Sequence, residues 1–176
     1  EYAMRLFTEV NQRDGEGYAK DHLGEVYMAL GYRAFCKSKE KRQVHENLQN
    51  AEKEYINARD CFETALEIFK ELDKKDAQAW LLHHLGEAEE NLGDVHLEKN
   101  GRTLANSQWN EALEKYNRAI KFFEGLNNWK EVLHLKAHIA DVYWKLKNGH
   151  IISEMEEYRS IIASFFHKDF YKDLYR

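Results

Sequence analysis

The segment His22-Leu23-Gly24-Glu25-Val26-Tyr27 returns as His84-Leu85-Gly86-Glu87-Ala88-Glu89, and again as His138-Ile139-Ala140-Asp141-Val142-Tyr143. A second block repeats beside the first: Ala65-Leu66-Glu67-Ile68-Phe69-Lys70-Glu71-Leu72 matches Ala119-Ile120-Lys121-Phe122-Phe123-Glu124-Gly125-Leu126. The step from Ala65 to Ala119 equals the step from His84 to His138. Likewise Ala3, Phe7 and Val10 precede Ala65, Phe69 and Leu72 by the same step that separates His22 from His84. Two blocks that move together mean one two-part unit repeats. Such units stack because none can bury its apolar stripe alone.

Each part has a helical period. Leu48, Ala51, Tyr55, Ala58, Phe62, Ala65, Phe69 and Leu72 advance by three or four residues, as do Val132, Leu135, Ile139, Val142 and Leu146. That spacing puts one stripe on one face. Asn128 with Glu131 and Ser153 with Glu156 have capping-box spacing, and Asn100-Gly101 suits a helix C-terminus. The pattern predicts seven helices, roughly 1–11, 15–42, 46–73, 76–100, 105–126, 129–147 and 154–170. Gly24, Gly86 and Ala140 share one repeat position inside helices, where glycine costs about 1 kcal/mol relative to alanine. This repeated cost predicts a close neighbouring helix, with Ala58, Ala65, Ala112 and Ala119 as its small side.

Leu23-Gly24-x-x-Tyr27, then Leu30-Gly31, then a helix with Ala58, Phe62 and Ala65 resembles the tetratricopeptide repeat (TPR) family over nearly the whole chain. The resemblance implies an all-α fold: a right-handed superhelix of antiparallel helix hairpins, an α-solenoid, spanning 1–176 as one domain of a longer protein. Two departures stand out. The family's proline after the second helix is missing, with Asp73–Asp76 and Asn127–Asn128 in its place. The units also run well beyond the family's usual length of about 34 residues. The surplus, between Gly31 and Ala58 and between Gly93 and Ala112, keeps helical periodicity, so both hairpins are expected to overrun the stack by two to four turns. The wording of the second block also resembles repeat arrays at the sensor end of bacterial signal-transducing (STAND-type) NTPases. The chain itself has no phosphate-binding glycine loop.

Composition agrees with helices. Proline is absent from the 176 residues, where about nine would be usual, which favours long helices and short turns. Acids outnumber bases 31 to 26, a net charge of −5 that argues against nucleic acid and anionic membrane as partners. The run Ile161–Phe166 is far short of the about 20 apolar residues a membrane helix needs. Two cysteines, Cys36 and Cys61, make no disulfide framework and favour a reducing compartment, the cytoplasm.

In the TPR family the first helix of each hairpin lines a concave groove. The matching positions here are Tyr18, Asp21, Glu25 and Met28 in the first unit, Trp80, His83, Glu87 and Glu90 in the second, and His134, Asp141 and Trp144 in the third. Glu25, Glu87 and Asp141 supply one carboxylate per repeat, suited beside these aromatics to a peptide with basic and apolar side chains. Charge rows on helices also serve solubility alone.

A metal reading has some footing. His134, His138 and Asp141 fall at i, i+4 and i+7, and Glu131-x-x-His134 has the spacing of di-iron bundles. However, His22, His84 and His138 each precede an acid by three residues, which points to helix-surface pairs worth a few tenths of a kcal/mol. No second Glu-x-x-His completes a di-iron site, so neither metal nor cofactor is expected. Cys36, near Lys37, Lys39, Lys41 and Arg42, has the setting of a reactive thiol but no base beside it. That basic run lacks the interleaved aromatics of a single-strand binder.

Phe165, Phe166, Phe170, Tyr171 and Tyr175 form an aromatic end that calls for a cover, either a further helix or a second copy through self-association. The expected function is a scaffold that binds a peptide or protein in the groove and performs no chemistry. The alternatives are a ligand-responsive sensor segment of a signalling protein and a metal-dependent helical enzyme.

Overall fold

The computed structural model describes residues 12–40 and 43–147. Five α-helices account for nearly all of them: α1 (Arg13–Ser38), α2 (Val44–Glu71), α3 (Lys75–Glu98), α4 (Arg102–Gly125) and α5 (Trp129–Leu146). The expected helices at 1–11 and 154–170 lie outside the described residues. So do the Ser153–Glu156 cap, Lys41, Arg42 and the C-terminal aromatic cluster.

Three turns explain how the chain reverses without proline. Asp73, Asn100 and Asn127 adopt left-handed φ of 49°, 60° and 57°. At each, the next residue's N–H reaches back five: Lys74 to the Phe69 carbonyl (3.0 Å), Gly101 to His96 (2.7 Å) and Asn128 to Phe123 (2.9 Å). This is the Schellman closure, with the short polar side chains that best tolerate φ > 0 after glycine. Between α3 and α4 the left-handed residue is Asn100, and Gly101, at φ −97°, follows it. Asn128 caps α5, accepting from the Glu131 N–H at 3.5 Å.

The hairpins are antiparallel. A Cβ added at Gly17 would meet the Phe69 ring at 2.7 Å, one at Gly24 would strike Phe62, and one at Gly31 would meet Tyr55 at 2.7 Å. In the next hairpin Gly86 faces Tyr116 and Gly93 faces Trp109. Glycines and rings both recur at every seventh position, the period that keeps two helices on one seam. The close approach is therefore glycine to aromatic ring. The alanines expected to meet the glycines, Ala58, Ala65, Ala112 and Ala119, are all fully buried in the core beside the rings.

Helices pack mainly on their neighbours in chain order, with a lesser contact between α1 and α3. One core cluster runs from Ala58 through Leu81, Leu82, Leu85, Trp109 and Tyr116 to Ile139 and Val142. A second joins Leu48, Ala51 and Tyr55 of α2 to Leu92 and Val95 of α3, with Phe35 of α1 against it. The expected overruns are thus packed extensions, because Tyr55 and Trp109 carry the glycine seam to their far ends: Tyr55 lies in the second cluster, while Ala105 and Trp109 continue the main one.

Candidate functional site

Along α3, Trp80, His83, Glu87, Glu90 and Asp94 advance by three or four residues, so they share a stripe. The apolar residues Leu81, Leu82, Leu85, Leu92 and Val95 are sunk in the core. The polar stripe meets α1 on one side and α5 on the other. His84 Nδ1 lies 3.0 Å from Asp21 Oδ1 of α1, and Lys145 of α5 reaches Glu90 and Asp94. Side chains of α1, α3 and α5 therefore face one another across one layer.

Between α1 and α3 lies a pocket of about 300 Å³ lined by Tyr18, Asp21, Glu25, Asp76, Ala77, Trp80 and His84. Tyr18 packs on Phe69 at 4.8 Å between ring centres, and Trp80 sets its edge on Phe123 at 5.2 Å, so both rings are braced yet about 40% exposed. Burial acts to lower the His84 pKa. The hydrogen bond and charge of Asp21, with Glu87 and Glu25, outweigh it and hold the imidazole above its ordinary value.

Further along, Lys145 Nζ donates to Glu90 Oε1 at 2.7 Å and to Asp94 Oδ2 at 2.9 Å. Tyr116 donates to Glu90 Oε2 at 2.8 Å, and Trp109 donates to Asp94 Oδ1 at 3.1 Å. Burial works to raise Glu90, but His138, Lys145 and Tyr116 overcome it and bring its carboxyl down to about 2. Asp94 has fewer partners, so burial wins and its pKa goes up.

Three imidazoles, those of His83, His134 and His138, lie between these two sites. His83 is buried, 5.2 Å from the His134 ring and 5.6 Å from His138, and it stacks on Trp80 at 5.8 Å. Burial, with the charges of His84, His138 and His134, lowers His83 to about 3, so its imidazole is neutral at physiological pH. Its nearest acid is Glu87, whose Oε1 is 3.7 Å from His83 Nε2 and 3.9 Å from His138 Nε2.

The structure brings Tyr18, Asp21, Glu25 and Trp80 together, while Asp141 and Trp144 stand exposed on α5. Three other positions expected to line the groove have contacts within the chain. Met28 packs against both core clusters, His83 is buried, and Glu90 is taken up by Lys145, Tyr116 and His138. The expected His–acid surface pair forms only at His22, 2.9 Å from Glu25. His84 and His138 instead reach across to the preceding helix of the layer, to Asp21 and Glu90, because there another helix lies alongside. Cys36 is exposed and Cys61 buried, where burial pushes its thiol up.

The repeat pattern gives no hint of the Lys145–Glu90–Asp94 network or of His83 joining His134 and His138. The contacts between α3 and α5, such as Glu90–His138 and Glu90–Lys145, join residues 48 and 55 apart in the chain, beyond the reach of any spacing within one helix. No model of a known protein family matches this chain, and no curated protein matches it either. Among the described residues no helix is long and apolar enough to cross a membrane.

Proposed function

We propose that the chain is a TPR-like α-solenoid whose layer of α1, α3 and α5 binds a polypeptide segment carrying basic and apolar side chains, without chemistry of its own. The observation that carries this reading is the pocket between α1 and α3. Three carboxylates, Asp21, Glu25 and Asp76, stand there around two half-exposed aromatic rings, Tyr18 and Trp80. A lysine or arginine entering it would find acids at the mouth and a ring face for its alkyl stem. Asp141 and Trp144, exposed on α5, repeat the same chemistry one unit on. The net charge of −5 favours the same class of partner. Two free cysteines fit a reducing compartment such as the cytoplasm.

The test is an array of peptides that alternate Lys or Arg with Leu or Met, with hits titrated by fluorescence polarisation. Glu25→Lys and Trp80→Ala are expected to weaken binding about tenfold or more. Glu63→Lys, in the separate groove shared by α2 and α4, is expected to leave it unchanged. The reading fails if no basic peptide binds, or if all three variants bind as the parent does.

A further inference from the structure

Each of His83, His134 and His138 offers one ring nitrogen to a set whose members lie within 4.8 Å of one another. His83 comes from α3 and the other two from α5, so the set bridges two hairpins. His83 is only 4% exposed, and neither of its nitrogens has a hydrogen-bond partner. An imidazole buried with both nitrogens unsatisfied is costly, and an apolar residue would fill the space more cheaply. Glu87 Oε1 faces the same space, 3.7 Å from His83 Nε2 and 3.9 Å from His138 Nε2.

The outer nitrogens are already held. His138 Nδ1 is 3.3 Å from Glu90 Oε2, and His134 Nδ1 is 3.5 Å from Glu131 Oε2, itself on a largely buried side chain. A carboxylate behind each imidazole is the usual backing of a metal-bound histidine, and it leaves Nε2 to point inward.

We propose that His83, His134 and His138, with Glu87 as fourth donor, form a binding site for a zinc-class divalent ion that ties α3 to α5. Three imidazoles and one carboxylate suit a borderline ion in tetrahedral coordination, whereas calcium and magnesium want oxygen. Four protein donors leave no open position, so the role is structural: a clamp on the angle between successive hairpins. Bonds of about 2.0 Å give a tetrahedral edge of about 3.3 Å, so the set must draw in from its present spacing. His134, with 54% of its side chain exposed, has room to turn inward while Glu131 stays behind its Nδ1. Asp141, the third member expected from helix spacing, is replaced by His83 of the neighbouring helix.

The experiment uses the untagged full chain, stripped with a chelator and dialysed. Zinc is titrated against a chromogenic competitor, and cobalt(II) is followed by its visible absorption. One ion per chain is expected, with the band intensity of four-coordinate cobalt. His134→Ala and Glu87→Gln, both at partly exposed side chains, are each expected to weaken binding about tenfold or more. His45→Ala, on the exposed start of α2, is expected to keep parental affinity. The proposal is overturned if no saturable step appears, or if His134→Ala and Glu87→Gln bind zinc as the parent does. Peptide binding is scored separately through Glu25 and Trp80, so either reading can fail alone.

Discussion

In the α1/α2 hairpin, Gly17, Gly24 and Gly31 receive the rings of Phe69, Phe62 and Tyr55; in the α3/α4 hairpin, Gly86 and Gly93 receive those of Tyr116 and Trp109. The seam is the same, yet the two first helices are held differently. α3 buries Leu81, Leu82, Leu85, Leu92 and Val95, while the buried residues of α1 are Gly17, Gly24, Gly31 and Ser38. Burying five such side chains contributes on the order of 10 kcal/mol, as an upper bound. Val26, Leu30 and Tyr32 on α1 remain 55%, 44% and 63% exposed. Within a hairpin, then, the glycine–ring seam sets how closely two helices approach. How firmly a helix is held depends on how many helices surround it.

The largest effect is expected where both conditions meet. Gly86→Leu drives a side chain into the fully buried Tyr116 ring and should abolish cooperative folding. Gly24→Leu makes the same clash with Phe62 but should release α1 while leaving α2 to α5 folded. Hydrogen exchange resolved along the chain checks this, and equal global losses in both variants would break the comparison.

Next in size is Lys145→Met, which strands Glu90 and Asp94 and should cost about 3 kcal/mol in urea unfolding. Lys39→Met, at an exposed pair with Glu98, should stay within about 0.5 kcal/mol. A loss there as large as that from Lys145→Met would mean that burial is not the cause.

A smaller effect sharpens the seam itself. Gly24→Ala should lower stability by about 1–2 kcal/mol even though alanine is the better helix former, because its Cβ meets the Phe62 ring. In the Phe62→Leu background that penalty should shrink, giving a double-mutant coupling of about 1 kcal/mol. Additive changes would show that the ring is not what meets residue 24.

The smallest is a pH effect, measured on metal-free protein. His84 has a folded pKa above its unfolded value of about 6.5. Its pairing with Asp21 therefore contributes stability that is full below that value and fades as pH rises through the folded pKa. Asp21→Asn should cost stability near pH 6 and nothing near pH 9. His22→Gln, at the exposed repeat equivalent, should be silent at both.

Much of this was legible along the chain. Ala58, Phe62, Ala65 and Phe69 follow the helical period, and all four are fully buried. The regular spacing of the glycines can be read directly, but not what they face, because the ring opposite each depends on where the antiparallel partner starts after its turn. Met28 shows the same gap: repeat position alone assigned it to the groove and gave no sign that its half-buried side chain packs against both core clusters.

Periodicity and turn-forming residues are local, so residue order was enough to prescribe helices, their approximate ends and their pairing with the next in line. Which side chains of α3 and α5 would touch was a different matter. It follows from the shift and rotation of one hairpin on another, held by Trp109, Tyr116 and the Lys145 network. Packing between segments far apart in the chain settled that His83 would face His134 and His138, and no spacing within either helix encodes it.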